Sequence, residues 1–277
     1  MTRSLRPLGV TLLALAGALV VNTLAGPLVT DKIDYPISES MLNQLLGLEL
    51  VTVFLVVPVT VVAAVLALRE RPLAPLLAIG PSAYAAYMFA QYVVGPVYDH
   101  YSAAVLFQLA IAATAGIVCV WCWVRATEVP LPLPGARSRR MHVAWLAFLG
   151  AFVLLRYVSA LTGAATGDRI PEEFADSPAF YWSIVLLDLG VVVPATLLAA
   201  VAVHRRQRLC PHAYYAVIGW FAMVPPSVAA MAAVMFARDD PHASLPTLLL
   251  TTVASFLFAI PAISAIHRLS PRHARRY

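Results

Sequence analysis

The sequence predicts an all-α integral membrane protein, with eight transmembrane helices arranged as two parallel four-helix repeats. Three observations carry that prediction: the composition, the alternation of basic loops, and a self-similarity at a shift of 136 residues. Of 277 residues, 61% are hydrophobic and 12% charged, and mean hydropathy is +0.81. The apolar residues fall in long runs rather than at the amphipathic spacing of a soluble core, and about 20 of them in succession cross a bilayer.

Taken in order, the spans cover 7–28, 41–68, 73–95, 101–126, 142–163, 179–203, 212–236 and 245–267. Arg3 and Arg6 before the first run also fit a cleaved signal peptide, a reading opposed by the place of that run in the repeat. Every second connection is basic: Arg69 and Arg71; Arg125, Arg137, Arg139 and Arg140; Arg205, Arg206 and Arg208. With the N-terminus and the tail at 268–276, that side holds 15 of the 19 Lys and Arg residues. The positive-inside rule therefore puts both termini in the cytoplasm and the chain in the cell membrane. Basic residues spread over five short segments suit anionic lipid headgroups and do not form a nucleic-acid footprint.

The repeat appears when position 56 is laid on 192. Val56-Val57-Pro58 meets Val192-Val193-Pro194, Thr60 meets Thr196, Arg69 meets Arg205 and Pro75 meets Pro211. Ten of the twenty positions from 56 to 75 are identical in gapless register. Residues 1–136 and 137–277 then form the two repeats, and the even number of spans in each makes them parallel about the membrane normal.

Ionisable residues inside apolar spans mark candidate sites, because a charge in hydrocarbon costs at least about 2.5–3.5 kcal/mol. Glu49, Arg156 and Asp188 are such residues. At about 1.5 Å per residue, each lies roughly 10–13 Å below the outer end of its span. The expectation is that they converge between the halves, with at least one carboxylate in salt-bridge range of Arg156. Asn22, Gln91 and Gln108 fall in the same layer, and Tyr84, Tyr87 and Gln91 share one face of span 3 by their spacing of three and four. Together these eight residues outline an outward-facing polar pocket. Packing explains Asn22, Gln91 and Gln108 equally well one at a time, since polar side chains also join membrane helices.

Two carboxylates against one guanidinium leave an excess negative charge, to be offset by a proton or a bound cation. The outer loops add ten acids against three bases, a surface that gathers cations. Pro58, Pro194 and Pro225-Pro226 mark breaks or hinges near mid-membrane. Asp239-Asp240 beside Pro241 reads as a surface turn. Cys119 and Cys122 form a C-x-x-C near the cytoplasmic end, better read as packing than as a redox pair.

Absent motifs narrow the classes. There is no G-x-S-x-G, no phosphate-binding glycine loop, no H-E-x-x-H and no axial histidine pair, and the lone lysine, Lys32, lies in a loop. No cofactor or metal is expected. The favoured reading is a protein that binds or transports a small solute, cationic or proton-coupled. The alternatives are a noncatalytic subunit or scaffold with a membrane partner, in which the charges are glue, and an intramembrane enzyme acting on a lipidic substrate.

Overall fold

The computed structural model describes residues 4–100 and 102–269, with side chains to Ser264. Arg3 and the basic tail beyond Leu269 lie outside the described residues. Helices account for the fold, and no strand occurs among the described residues. In chain order they are α1 (Arg6–Ala25), α2 (Glu39–Val51), α3 (Val57–Leu68), α4 (Ala74–Val94), α5 (Ala103–Thr127), α6 (Ala136–Arg156) and α7 (Val158–Thr166). They continue as α8 (Pro178–Leu187), α9 (Val193–His204), α10 (Cys210–Phe221), α11 (Val224–Ala237) and α12 (Leu245–Leu269).

Several of these join into longer rods, giving, among the described residues, seven helices long and apolar enough to cross a membrane: Arg6–Ala25, Glu39–Leu68, Ala103–Thr127, Ala136–Thr166, Pro178–His204, Cys210–Ala237 and Leu245–Ser264. Helix α4 has the length, at 21 residues, but its prolines, tyrosines and Gln91 make it less apolar than these seven. Helices α3, α5, α8 and α10 all pack against it.

Local chemistry sets the ends. Ser38 and Ser102 cap α2 and α5 through their hydroxyls, which accept from the Met41 and Ala104 amides at 3.4 and 3.1 Å. Prolines sit in the first turns of α1, α4, α8, α10 and α11, where a missing N–H costs nothing. Glu70 and Arg206 both adopt φ 54° after α3 and α9. The next amide in each case closes the helix end, Arg71 N–H on the Leu66 carbonyl and Gln207 N–H on the Ala202 carbonyl, at 2.9 and 3.0 Å.

Pro58 and Pro194 leave a distinctive mark. Each lacks the N–H that would bond the carbonyl four residues back, and its ring crowds that carbonyl. The turn before each proline widens into a π-helical segment, Thr52–Val56 and Asp188–Val192. There the Val57 and Val193 amides reach the Thr52 and Asp188 carbonyls, five residues back. Pro225-Pro226 removes two successive donors and breaks the helix outright at Ala222 and Met223, between α10 and α11. A further break at Tyr157, between α6 and α7, has no proline to explain it.

The surface is apolar where it faces outward: Phe54 is 76% exposed and Phe256 73%, with Leu106, Ile117, Leu155 and Leu198 alongside. Small residues allow the closest internal approaches. A Cβ on Gly80 would stand 2.7 Å from the Gly219 carbonyl oxygen, where α4 crosses α10. One on Gly47 would stand 2.5 Å from Met231 Cα, where α2 crosses α11.

Candidate functional site

Where α2, α4, α8 and α11 meet near the end of α6, they leave a cleft of about 60 Å³. Its apolar wall includes Leu45, Leu48, Met88 and Met231; its polar groups include Gln44, Tyr84, Tyr87, Gln91, Arg156, Asp188 and Ser227. At roughly 15 Å³ per water-sized site, the cleft holds about four waters or one very small solute.

Asp188 is the first residue of the second π segment and is 5% exposed. The Tyr87 hydroxyl donates to its Oδ1 at 2.6 Å and the Tyr157 hydroxyl to its Oδ2 at 2.5 Å. Those donors come from α4 and from the break after α6, so one carboxylate ties three elements together. Short O–H bonds to an ionised acceptor are among the stronger kinds, and each oxygen keeps a further lone pair for a ligand. Tyr84 pairs with Ser227 at 2.9 Å, beside the α10–α11 break, while the Gln91 Nε2 is buried without an acceptor.

The convergence of three charges expected from the sequence is not what the fold builds. Arg156 lines the cleft and lies within electrostatic reach of Asp188. It forms no ion pair among the described residues; its guanidinium stands 5.6 Å from the centre of the Tyr157 ring. Tyrosine hydroxyls do for Asp188 what a salt bridge was expected to do. Glu49 does not face the cleft. One residue on from Leu48, it is turned about 100° around α2 into the first half of the bundle. There it is 1% exposed, and both oxygens lack a hydrogen-bond donor. The Leu28 amide is near but falls outside hydrogen-bond geometry.

Asn22 and Gln108 belong with Glu49 rather than with the cleft. Both reach the buried hydroxyl of Tyr35, Gln108 Nε2 donating at 2.9 Å and Asn22 Nδ2 at 3.4 Å. Burial raises the Tyr35 phenol above its usual value, and the nearby Glu49 adds to that. Tyr98, whose hydroxyl lies 3.5 Å from Gln108 Oε1, is pushed up to about 12 by burial. Of the eight residues singled out in the sequence, Tyr84, Tyr87, Gln91, Arg156 and Asp188 come together, and Glu49, Asn22 and Gln108 form a second cluster.

Asp240 corrects another expectation. It sits at a turn, with Asp239 at φ 53°, but it is 7% exposed and not a surface residue. Ser40 Oγ donates to Oδ1 at 3.1 Å, Asn43 Nδ2 to Oδ2 at 2.8 Å, and its own turn supplies the His242 amide at 2.9 Å. Arg238 Nη1 bonds Asn43 Oδ1 at 3.3 Å. Although burial acts the other way, these bonds, Asn43 first, hold the Asp240 carboxyl below its usual range. The result is a latch between the start of α2 and the turn after α11, the two helices that wall the cleft. Sequence reasoning missed Tyr35, Tyr157 and the role of Asp240. Tyr157 carried one usable signal, its place directly after a charged residue inside a span.

The three cysteines are free, and no group of His, Cys, Asp and Glu fit to hold a metal occurs among the described residues. A largely apolar outer surface, buried polar groups such as Glu49, Gln108 and Asp188, and seven membrane-length helices among the described residues define a multi-pass α-helical membrane protein. No family model, no curated protein and no solved structure matches this chain, so its function must be read from the cleft itself.

Proposed function

We propose that the chain is an eight-span protein of the cell membrane that binds, and through its broken helices transports, a small solute bearing a cationic or proton-exchanging group. In this reading residues 1–136 and 137–277 are parallel four-helix repeats, both termini are cytoplasmic, and the cleft opens outward. The repeat is supported by local structure recurring at a spacing of 136: Thr52–Val56 with Asp188–Val192, α3 with α9, and Glu70 with Arg206, each at φ 54°. Identical deviations from the regular helix are harder to obtain by chance than matching apolar residues.

The observation that carries the solute reading is Asp188, a buried carboxylate in the wall of a cleft between the halves, with spare acceptor capacity and the tyrosines Tyr84 and Tyr87 beside it. Carboxylate and aromatic faces together suit an ammonium group. Arg156 at the same cleft balances the formal charge and leaves room for a solute with an acidic end as well. The cleft volume limits the bound part to a few heavy atoms.

A scaffold is the second reading, favoured by the hydroxyl donor that each Asp188 oxygen already has, as expected of structural glue. Methylammonium and tetramethylammonium separate the two. On the solute reading, one of them at about 100 times its Kd stabilises the wild-type protein by about 2.7 kcal/mol, and Asp188→Asn abolishes this response while still folding. If Asp188→Asn loses stability and keeps every solute response of the wild type, the scaffold reading replaces the transport one.

A further inference from the structure

Glu49 stands apart from the cleft, with the Leu28 amide near it but outside hydrogen-bond geometry. Its oxygens have no donor, and no Lys or Arg pairs with it among the described residues. A Cβ on Gly26 would lie 2.5 Å from Glu49 Oε1 and 3.1 Å from the Asn22 carbonyl, so the carboxyl presses against the turn that ends α1. Asn22 Oδ1 is likewise buried without a donor. The titratable groups that face Glu49 are phenols: Tyr35 from the 26–37 loop and Tyr92 from α4, with Tyr98 further out. Asn22 of α1 and Gln108 of α5 add uncharged amides, both bonded to the Tyr35 hydroxyl.

We infer that Glu49 is a proton-carrying site, separate from the cleft, that holds its proton at neutral pH inside the first half of the bundle. A carboxylate stripped of water with no donor in its place is strongly disfavoured, whereas the acid form is neutral and brings an O–H to acceptor-rich surroundings. The step is the transfer of one proton between water and the carboxylate, with no other bond made or broken. A hydrogen-bonded file of side chains leads inward toward the site, from half-buried Tyr98 to Gln108 at 3.5 Å and on to Tyr35 at 2.9 Å, whose phenol lies within electrostatic reach of Glu49. Helix α2 carries Glu49 on one face and the cleft residues Gln44 and Leu48 on another, so the proton sits on the element that also walls the cleft.

Infrared spectroscopy of the full chain in lipid nanodiscs tests this without knowledge of any solute. Protein carrying ¹³C-labelled glutamate should show one protonated-carboxyl C=O band at neutral pH, shifted by the label and lost as pH is raised. Glu49→Gln should lack it at every pH. Should that variant fail to fold, the label still tests the site in a Glu173→Gln background, because burial pushes the Glu173 carboxyl above its usual range and the remaining glutamates lie in loops or at helix ends. Absence of the band in the labelled wild type at neutral pH overturns the inference. So does its removal by Na⁺ at fixed pH, which would assign the site to a metal cation. Neither result depends on whether the cleft binds a solute.

Discussion

Replacing Gly47 by alanine tests the contact on which the cleft is built. The added Cβ would meet α11 backbone, with Met231 N nearest, Met231 Cα at 2.5 Å and the Ala230 carbonyl carbon at 2.6 Å. Ordinary carbon contacts are about 3.5–4.0 Å, so the two helices must part by about 1 Å. No flexible side chain can absorb this. Overpacking of that kind costs about 1–3 kcal/mol, and backbone opposition puts it at the upper end. At roughly 2–4 °C per kcal/mol for a chain of this size, the melting temperature in detergent should fall by roughly 4–10 °C. Gly17→Ala is the matched control, since nothing lies within 4 Å of its Cβ and alanine favours helix. Gly17→Ala should be neutral or slightly stabilising. Equal melting temperatures for the two variants would refute the close approach of α2 to α11.

Two further outcomes follow from the hydrogen bonds. Asp240→Ala should destabilise the protein by about 1.5–3 kcal/mol through loss of charge-assisted bonds to α2, read by thermal unfolding at neutral pH. Because the Asp240 carboxyl is held below its unfolded range, its contribution is present above that range and disappears as pH falls through the folded value, so variant and wild type should converge in acid. Tyr157→Phe should cost about 1–3 kcal/mol by leaving Asp188 Oδ2 without its donor. Combined with Asp188→Asn it should cost less than the sum, and strict additivity in the double-mutant cycle would show that the pair does not interact.

The helices were legible because a bilayer demands runs of about 20 apolar residues, and prolines announced where spans 2, 6 and 7 deviate. What prolines do not announce is the form of the deviation. Pro58 and Pro194 are absorbed by one wide turn each, while Pro225-Pro226 breaks its helix. The cleft was half legible for a related reason. Depth along a helix is countable from sequence, so Tyr84, Tyr87, Gln91, Arg156 and Asp188 emerged as one layer. Azimuth is not countable without a known neighbour, so Glu49, at the right depth, was assigned to the wrong side of α2. Spacing within a single helix was the better guide, as on α4, because three- and four-residue steps fix relative direction whatever the packing. Asp240 escaped because a paired acid in a turn looks the same whether solvated or capped by a distant helix.

The π segments make chain length a matter of aim. Each accommodates one more residue than an α-turn, so the stretch beyond it points about 100° away from where an unbroken helix would send it. Deleting a single residue between 52 and 56 would let the turn relax to α geometry and leave the face of α3 on its partners, because the rotation lost with the residue equals the offset the wide turn absorbs. A deletion within α3 itself has no wide turn to absorb it and would swing the rest of that helix off its partners. Loops such as 128–135 have no comparable constraint. Among descendants of this sequence, insertions and deletions should collect in the connections, and any single-residue loss within 39–68 or 178–204 should fall in the π segments rather than in the α-helical stretches on either side.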